Sequence, residues 1–337
     1  MKRGGIRGLV LATAAALMLT ACSGWQSAID VQGAPAISIK QLIILIVAVC
    51  SAVWAMVMAV LIRALWQRRE PRGRPADLDP RTDRRIMRAV TAATAATVVI
   101  LIVFTTASFF TTRALSIASN DDLTIKVQGQ QWWWSVEYLS PMERRLQTAN
   151  EIHIPVGQNV RLQLEGADVI HSFWVPNLAG KQDLIPGRSN TLTIRAERPG
   201  VYRGQCAEFC GLQHAHMAFF VIAEEPADFE RWVKSQQQGA TDPSGDEIAA
   251  GQQVFLSRPC AACHAIRGTL ATGTTGPDLT HVGGRKYIAA GLLETTRGSL
   301  AAWIADPQTL KPGNNMPMVP LSADELRSVS SYLASLK

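Results

Sequence analysis

The stretch CAEFCGLQHAHM, residues 206–217, carries two cysteines, two histidines and a methionine within twelve positions. Thiolates are soft ligands that suit copper(I), imidazole suits copper in both oxidation states, and a thioether makes a weak axial ligand. Cys206 and Cys210 are separated by only three residues, so a tight loop between two strands can direct both sulfurs to one point. His214 and Met217 follow within reach of that point. The stretch therefore indicates a metal centre on a β scaffold, in which each sulfur can bridge two metal ions.

The residues around this stretch have the pattern of an all-β domain. From residue 121 to about residue 222, short β-rich runs alternate with Gly, Pro and Asn turn signals: LTIKVQG, EIHIPVG, NVRLQLEG, NTLTIRAE and HMAFFVIAEE. Short strands at regular spacing predict a sandwich or a barrel. An earlier loop, ADVIHSFWVP, offers His171 as one more ligand. A metal held by two loops of a rigid scaffold changes its geometry little on oxidation, which favours fast electron transfer.

Two other readings of the cluster remain open from the residues alone. A disulfide between Cys206 and Cys210 would suit an exported domain, but it leaves His171, His214 and Met217 without a role. A zinc site with two cysteines and two histidines is chemically sound, yet it has no use for the methionine.

A second motif, CAACH at residues 260–264, has the form of a c-type haem attachment site. Cys260 and Cys263 can each form a thioether to a haem vinyl group, and the adjacent His264 can bind the iron. A C-x-x-C pair also serves in redox disulfides. The later segment KPGNNMPMVP favours haem because it supplies an opposite axial ligand, for which Met316 is the first candidate and Met318 the second.

The chain becomes helical in pattern from Asp246 onward, in GDEIAAGQQVFL and in the closing LSADELRSVSSYLASLK. Ser322 followed by Glu325 predicts a capping box at the start of the last helix. The polar segment KSQQQGATDPSG, residues 234–245, predicts a linker. A flexible linker of about ten residues reaches roughly 16 to 19 Å and keeps a tethered domain at an effective concentration on the order of millimolar. We therefore expect a loosely tethered helical domain.

Two apolar runs, residues 41–65 and 89–110, are each long enough to cross a bilayer. The loop Arg63–Arg88 between them carries nine arginines against four acidic residues, which places it in the cytoplasm by the positive-inside rule. Everything after Phe110 is then expected on the periplasmic side. From Ala89 onward the chain holds 20 basic and 22 acidic residues, so the formal charge of +6 comes from the first part of the chain. A nucleic acid partner is excluded, because no concentrated basic face is visible.

The N-terminus has the layout of a bacterial export signal. Three basic residues precede the apolar run LVLATAAALMLT, and the run ends with LTAC rather than an A-x-A cleavage site. This ending resembles a lipoprotein box, in which Cys22 would carry the lipid after cleavage. A plain signal peptide or an uncleaved anchor remains the alternative.

The pattern C-x-E-x-C-x-x-x-H-x-x-M with an upstream HSFWVP resembles the dinuclear CuA site of cytochrome c oxidase subunit II. The resemblance covers nearly all of residues 40–225, including GQQWWWSVEY, HSFWVPNLAGKQDLIPGR and PGVYRGQCAEFCGLQH. It implies a cupredoxin-like Greek-key barrel and a set of copper ligands: His171, Cys206, Cys210, His214, Met217 and the backbone carbonyl of Glu208. The Glu208 carboxylate would face a magnesium site shared with subunit I. His216 lies outside the ligand pattern, and His153 is expected to be an ordinary strand histidine.

The same resemblance gives Trp132 the role of accepting the electron that arrives from cytochrome c. Residues 132–134 are all tryptophan, and alternate residues of a strand point to opposite faces, so at least one indole is expected to face outward. If Trp132 is exposed near the copper, its indole could accept the electron. Trp134 is expected in the core.

The C-terminal part resembles class I cytochrome c, with Met316 as the axial methionine. Histidine and methionine ligation raises the haem potential and closes the iron to oxygen, which implies an electron carrier. The resemblance places Pro277 against the haem edge near His264, while His281 is expected to be structural.

The fold class predicted for the whole chain is a multidomain membrane protein: a two-helix transmembrane hairpin, an all-β cupredoxin-like Greek-key barrel and an all-α class I cytochrome c domain. The predicted segments are a lipoprotein-type signal peptide (1–21), an extracytoplasmic N-terminal segment (22–40), the helix hairpin (41–111), the CuA domain (112–233), the linker (234–245) and the cytochrome c domain (246–337). We expect a bacterial inner-membrane protein with both redox domains in the periplasm.

The function implied by the two resemblances is delivery of electrons to a haem-copper cytochrome c oxidase. Electrons would pass from the covalent c haem through Trp132 to the copper pair, and on to subunit I for oxygen reduction and proton pumping. No oxygen-reducing site is expected in this chain. The implied partners are subunits I and III, with a soluble or membrane cytochrome c or a quinol:cytochrome c reductase as donor. The alternative is the same role in a nitric oxide reductase, whereas the subunit II of a quinol oxidase would lack Cys206 and Cys210.

Overall fold

The computed structural model of the chain describes residues 24–67, 80–115, 123–140 and 146–337. The predicted signal peptide, Cys22 and the middle of the arginine-rich loop therefore lie outside the described residues. The chain divides into two compact units, Ser38–Ile117 and the rest.

Two long helices, α1 (Ala34–Gln67) and α2 (Pro80–Leu115), contain the apolar runs predicted to span a membrane. Their most apolar 18-residue windows have mean hydropathies of 2.8 and 2.1. Both helices are long and apolar enough to cross a bilayer, and each begins several residues before its apolar run. The prediction of two apolar helices is confirmed.

The predicted all-β domain consists of two five-stranded sheets with a shared apolar core. One sheet has the order β3-β2-β1-β5-β8 and the other the order β4-β10-β9-β6-β7, and only the pairs β1/β5 and β4/β10 are parallel. The strands are β1 (Leu123–Gln130), β2 (Trp133–Ser140), β3 (Leu146–Ala149), β4 (Glu151–Pro155), β5 (Val160–Gly166), β6 (His171–Trp174), β7 (Gln182–Leu184), β8 (Asn190–Ile194), β9 (Gly200–Cys206) and β10 (Ala218–Glu224). This is the predicted cupredoxin-like architecture.

Strand β1 shows why these residues form a half-buried sheet. Its buried residues Leu123, Ile125 and Val127 alternate with half-buried polar ones, the period-two pattern of a strand with one face in the core. Strand β10 breaks the pattern, because six successive residues are buried. Its outer face is covered by the C-terminal domain, where the ring of Phe220 stacks on Tyr287 at 4.2 Å.

The C-terminal domain is built from five helices and one small hairpin. The elements are α4 (Asp246–Ser257), α5 (Cys260–Cys263), β11 (Tyr287–Ile288), β12 (Leu293–Glu294), α6 (Arg297–Ala305), α7 (Pro307–Leu310) and α8 (Ala323–Ser335). Helices α4 and α8 approach closely at Gly251, where a Cβ atom would lie 2.1 Å from the Ser328 carbonyl oxygen. The capping box of α8 is confirmed, since Ser322 and Glu325 exchange both hydrogen bonds.

The segment between the two domains differs from the flexible tether that its composition suggested. Helix α3 (Pro226–Gln236) continues into the predicted linker. The carbonyl of Gln236 accepts a hydrogen bond from the Arg267 guanidinium at 2.6 Å, and the amide of Ala240 donates to the Arg267 carbonyl at 2.8 Å. His281 bonds both the Gln238 carbonyl and the Lys337 carbonyl at 3.1 Å, in line with its expected structural role. The composition of the segment shows that it is polar, but it does not show that its hydrogen-bond partners Arg267 and His281 lie in the C-terminal domain.

The residues just before α1 lie against the β domain. The Asn177 side-chain amide donates to the Asp30 carbonyl at 2.7 Å, and the Gln32 amide donates to the Asn177 carbonyl at 2.7 Å. The amide of Glu197 donates to the Gln32 carbonyl at 2.8 Å. The chain therefore starts its first long helix from the surface of the β domain.

Candidate functional site

The cysteine and histidine cluster lies at one end of the second sheet. Strand β9 ends at Cys206, a loop with a short helical turn (His214–His216) follows, and β10 begins at Ala218. Strand β6 begins at His171 and pairs with β9, with Phe173 opposite Cys206. This pairing brings the separate loop of His171 beside the two cysteines.

The predicted donor atoms converge on the two thiols. The sulfurs of Cys206 and Cys210 are 3.8 Å apart, and the Cys206 sulfur lies 3.8 Å from His171 Nδ1 and 3.2 Å from the carbonyl oxygen of Glu208. The Cys210 sulfur lies 3.6 Å from His214 Nδ1 and 3.8 Å from the sulfur of Met217.

This donor set fits copper better than the two alternatives. The cysteines are free, so a disulfide does not form between them in this structure. The thioether of Met217 and the backbone carbonyl of Glu208 lie within the cluster, which a zinc site with two Cys and two His does not require. Two thiolates, two imidazoles and a thioether are the soft and intermediate ligands that copper prefers.

The pKa values of the two thiols are shifted in opposite directions in the absence of metal. The pKa of Cys206 is lowered, first by a hydrogen bond from Cys210 and further by hydrogen bonds from His171 and the backbone, although burial opposes the change. The pKa of Cys210 is raised, because it sits beside the Cys206 thiolate and is itself partly desolvated. The pair therefore holds one proton, which a bound metal would displace.

A carboxylate that sequence reasoning missed orients one of the imidazoles. Asp168 Oδ1 lies 2.8 Å from His171 Nε2, and Asp168 Oδ2 accepts a hydrogen bond from the Gln131 amide at 2.7 Å. Burial would raise the pKa of Asp168, but hydrogen bonds from Gln131, His171 and Val169 outweigh it and lower the pKa. When a metal displaces the proton of Nδ1, the hydrogen bond to Asp168 would keep the other imidazole proton on Nε2 and leave the lone pair of Nδ1 for the metal. Asp168 lies three residues before His171 in the sequence, and this spacing was the signal from which the contact could have been predicted.

Trp132 lies beside the cluster but is buried, contrary to the expectation of an exposed indole. The side chain is 8% exposed, and its Nε1 donates to the Cys210 carbonyl at 3.0 Å. The loop around Gly313 of the C-terminal domain lies over the ring, where a Cβ atom on that glycine would be 3.6 Å from the indole. Trp134 is fully buried against Phe173 and Phe219, as expected for a core residue.

The Glu208 side chain is exposed. The magnesium site expected at its carboxylate stays a prediction. His216 bonds Gln213 and stands outside the donor cluster. His153 differs from an ordinary strand histidine, because it is buried between two carboxylates, with Nδ1 3.0 Å from Glu224 and Nε2 3.7 Å from Glu151.

The CAACH motif lines an open cleft of the C-terminal domain, about 1050 Å³ including its mouth. Cys260, Cys263 and His264 stand on one side, and Met316 stands among the lining residues with Pro317. Met318 is 58% exposed and does not line the cleft. The geometry therefore favours Met316 over Met318 as the iron ligand.

His264 has the orientation that an iron ligand needs. Its Nδ1 lies 2.8 Å from the carbonyl oxygen of Pro277. A carbonyl only accepts hydrogen bonds, so Nδ1 carries the proton and Nε2 keeps its lone pair. Burial lowers the pKa of His264, which keeps the ring neutral. A largely apolar cleft with two thiols, an oriented imidazole and a thioether fits a covalently attached haem.

A second cavity lies where the two domains meet. It is lined on the β side by Gln131, Trp132 and Trp133, and on the helical side by residues that include His264 and Met316. The candidate haem cleft and the tryptophan next to the thiol cluster therefore share one cavity.

Comparison with known proteins finds a family model for each of the two domains. Residues 139–224 match the family model of the cytochrome c oxidase subunit II periplasmic domain, and residues 248–337 match that of cytochrome c. Cytochrome c oxidase subunit 2 of Alkalihalophilus pseudofirmus is 42% identical over 215 residues, covering 63% of this chain and 61% of the relative. The corresponding Bacillus subtilis protein is 31% identical over 230 residues, covering 65% and 64%. The chain thus spans less than two thirds of the length of these relatives.

A solved structure is also similar in sequence over the β domain. The periplasmic domain of subunit II of the Bradyrhizobium japonicum cytochrome oxidase is 35% identical, with a TM-score of 0.34, and covers 36% of this chain and 97% of that one.

Proposed function

We propose that this chain is the subunit through which electrons enter a haem-copper cytochrome c oxidase, because residues 139–224 match the cytochrome c oxidase subunit II periplasmic domain and residues 248–337 match cytochrome c. The observation that carries the proposal is the convergence of four donor groups on two free thiols whose sulfurs are 3.8 Å apart. Oxygen reduction and proton pumping belong to subunit I, so the enzyme activity is that of the complex.

The thiol cluster is the proposed dinuclear copper site. Its ligands are His171, Cys206, Cys210, His214, Met217 and the carbonyl of Glu208. The bound copper pair supplies one-electron transfer with little change in geometry. Asp168 holds His171 in the tautomer that offers Nδ1, and the short turn His214–His216 brings the second imidazole to Cys210. A magnesium ion at the Glu208 carboxylate, shared with subunit I, remains part of the proposal.

The cleft of the C-terminal domain is the proposed haem site. Cys260 and Cys263 would attach a haem here, and His264 and Met316 would hold its iron. The bound haem supplies a one-electron carrier closed to oxygen. Pro277 fixes the proton of His264 on Nδ1, and the exposure of Met318 supports the choice of Met316.

The proposed location is the bacterial inner membrane, with both redox domains in the periplasm. The arginine-rich loop would lie in the cytoplasm. The bonds between residues 30–32 and the β domain support this topology, since they put the start of α1 on the same side as that domain. Removal of residues 1–21 and lipid attachment at Cys22 are proposed from the sequence. The proposed partners are subunits I and III and a cytochrome c or quinol:cytochrome c reductase donor.

The sequence alternative, the copper-bearing subunit of a nitric oxide reductase, is less well supported. The relatives from Alkalihalophilus pseudofirmus and Bacillus subtilis are both called cytochrome c oxidase subunit 2. The oxidase is therefore the reaction to test first.

Paired variants of the full chain test the two cofactor sites separately. Cys206→Ser should abolish the near-infrared band of a mixed-valence copper pair while covalent haem staining persists, because the haem cleft lies in the other domain. Cys260→Ala with Cys263→Ala should have the opposite effect. An unchanged copper spectrum in the first variant, or haem staining that survives in the second, would contradict the proposal.

A further inference from the structure

A lysine is buried at the junction of the two redox domains. Lys311 is 2% exposed, and its ammonium donates to the Trp132 carbonyl at 2.7 Å and to the Ala289 carbonyl at 3.1 Å. Among the described residues no carboxylate pairs with it. Burying an ammonium group is costly unless its hydrogen bonds are made. Burial lowers the pKa of Lys311 to about 7. The two carbonyls, one from each domain, accept hydrogen bonds from this amine in either protonation state.

A carboxylate makes the reciprocal contact from the β domain. Glu151 is 3% exposed, and its Oε1 accepts from the backbone amides of Lys286 at 2.5 Å and of Tyr287 at 3.3 Å. Each domain thus inserts one buried charge into the backbone of the other. A backbone hydrogen bond also joins the two domains, since the amide of Ala218 donates to the Ala290 carbonyl at 3.0 Å.

The lysine lies where docking affects the cofactor sites. Lys311 is followed by the loop PGNNM, which ends at Met316 and rests on the Trp132 indole through Gly313. The same indole donates to the carbonyl of Cys210. A shift of Lys311 would therefore move the methionine loop relative to the tryptophan beside the thiols.

We propose that Lys311 is a positioning residue that docks the haem domain on the copper domain in one fixed arrangement, with Glu151 as its counterpart. The inference rests on the proposed function, because it concerns electron exchange between the two proposed cofactors. It replaces the picture of a loosely tethered carrier: the partner for which the surface around Trp132 is built is this chain's own C-terminal domain. Exchange between haem and copper then requires no diffusion of the domain.

The test compares Lys311→Met with Lys286→Met in the full-length chain. Lys286 has an exposed side chain on the same domain and meets Glu151 only through its backbone amide, so it is a matched control. Glu151→Gln probes the junction from the other side, and it keeps the assay usable if the lysine variant fails to fold. Copper and haem spectra of each variant verify that both centres are loaded.

Hydrogen exchange at residues 286–291 and 311–316 gives a readout independent of the cofactors. We expect Lys311→Met to speed exchange in these segments about tenfold or more, since losing one hydrogen bond to a charged group corresponds to such a factor. Lys286→Met should match the wild type. Equal exchange in Lys311→Met, Glu151→Gln and the control would overturn the docking proposal.

The rate of haem-to-copper electron exchange after flash reduction gives the second readout. In the wild type it should not change with added viscosity, whereas in Lys311→Met it should fall and become viscosity-dependent. A viscosity-dependent rate in the wild type would also overturn fixed docking. Absence of copper or haem from the wild type would refute the proposed function instead, while hydrogen exchange would still decide the docking.

Discussion

Replacing Asp168 with Asn should weaken copper binding without removing a copper ligand. The carboxylate accepts hydrogen bonds from His171 Nε2 at 2.8 Å and from the amides of Gln131 and Val169, both at 2.7 Å. An asparagine has one acceptor oxygen, and its amino group only donates. If the amino group faces Gln131, one N–H loses its acceptor. If it faces His171, the Val169 amide also loses its acceptor, and a neutral imidazole must move its proton to Nδ1, the atom that faces the Cys206 sulfur.

The size of the effect follows from these two orientations. The hydrogen bond from Gln131 is exposed, so water can replace the lost acceptor at little cost, whereas loss of the outer partner of a metal-binding histidine typically costs about 10- to 100-fold in metal affinity. Copper titration against a competing chelator and thermal unfolding of the full-length protein would measure both. Glu165→Gln is the control, because it removes the same charge from a surface ion pair with Lys126, where about 0 to 1 kcal/mol is expected. Copper affinity in Asp168→Asn equal to that of the control would refute the orienting role.

Three further changes test other parts of the structure. Burial lowers the pKa of His153, but its two neighbouring carboxylates outweigh burial and raise it; the stabilisation is therefore complete below the ordinary pKa and lost as pH rises through the raised one. His153→Gln should flatten the dependence of the unfolding temperature on pH above the ordinary histidine pKa, and an equally steep slope in the variant would contradict this. A chain that ends after Gln238 should keep its copper and assemble with its partners but expose the Trp132 indole to a fluorescence quencher, while unchanged quenching would show that the C-terminal domain does not cover it. Turnover with an artificial donor that reduces the haem should collapse in that truncated chain. Gly204→Ala places a Cβ atom 2.2 Å from the Phe219 ring and should cost about 1 to 3 kcal/mol by overpacking, which an unchanged unfolding temperature would disprove.

The ligands of both sites could be predicted because their spacing is local. Five of the six proposed copper donors lie within residues 206–217, and a strand, a tight loop and the next strand suffice to gather them. The haem motif is shorter still, and a capped final helix follows it. His171 comes from a separate loop, and the pairing of β6 with β9 that brings it beside the thiols is not visible in the local sequence pattern.

The parts that sequence reasoning missed depend on contacts between distant residues. The burial of Trp132 arises from a loop about 180 positions later in the chain, with Lys311 and Trp132 separated by 179 residues. The linker composition indicated flexibility, but the partners of Gln236 and Gln238 come from Arg267 and His281. His153 looked ordinary because the alternation of a strand does not reveal what covers its outer face, here Trp232 stacked at 4.0 Å.

The buried charges at the domain junction give one arrangement an advantage that apolar contacts alone would not. Two apolar surfaces can slide on each other with little cost in binding free energy. The Lys311 amine, once displaced from its two carbonyls, is left buried without hydrogen-bond acceptors. Lys311 reaches one carbonyl on each domain, so any sliding breaks at least one of its two bonds. Since the docked domain covers Trp132, the proposed external donor would meet the chain at the C-terminal domain. That domain carries eight basic and seven acidic residues from Asp246 to Lys337, so long-range charge steering is weak and contact shape decides which donor binds.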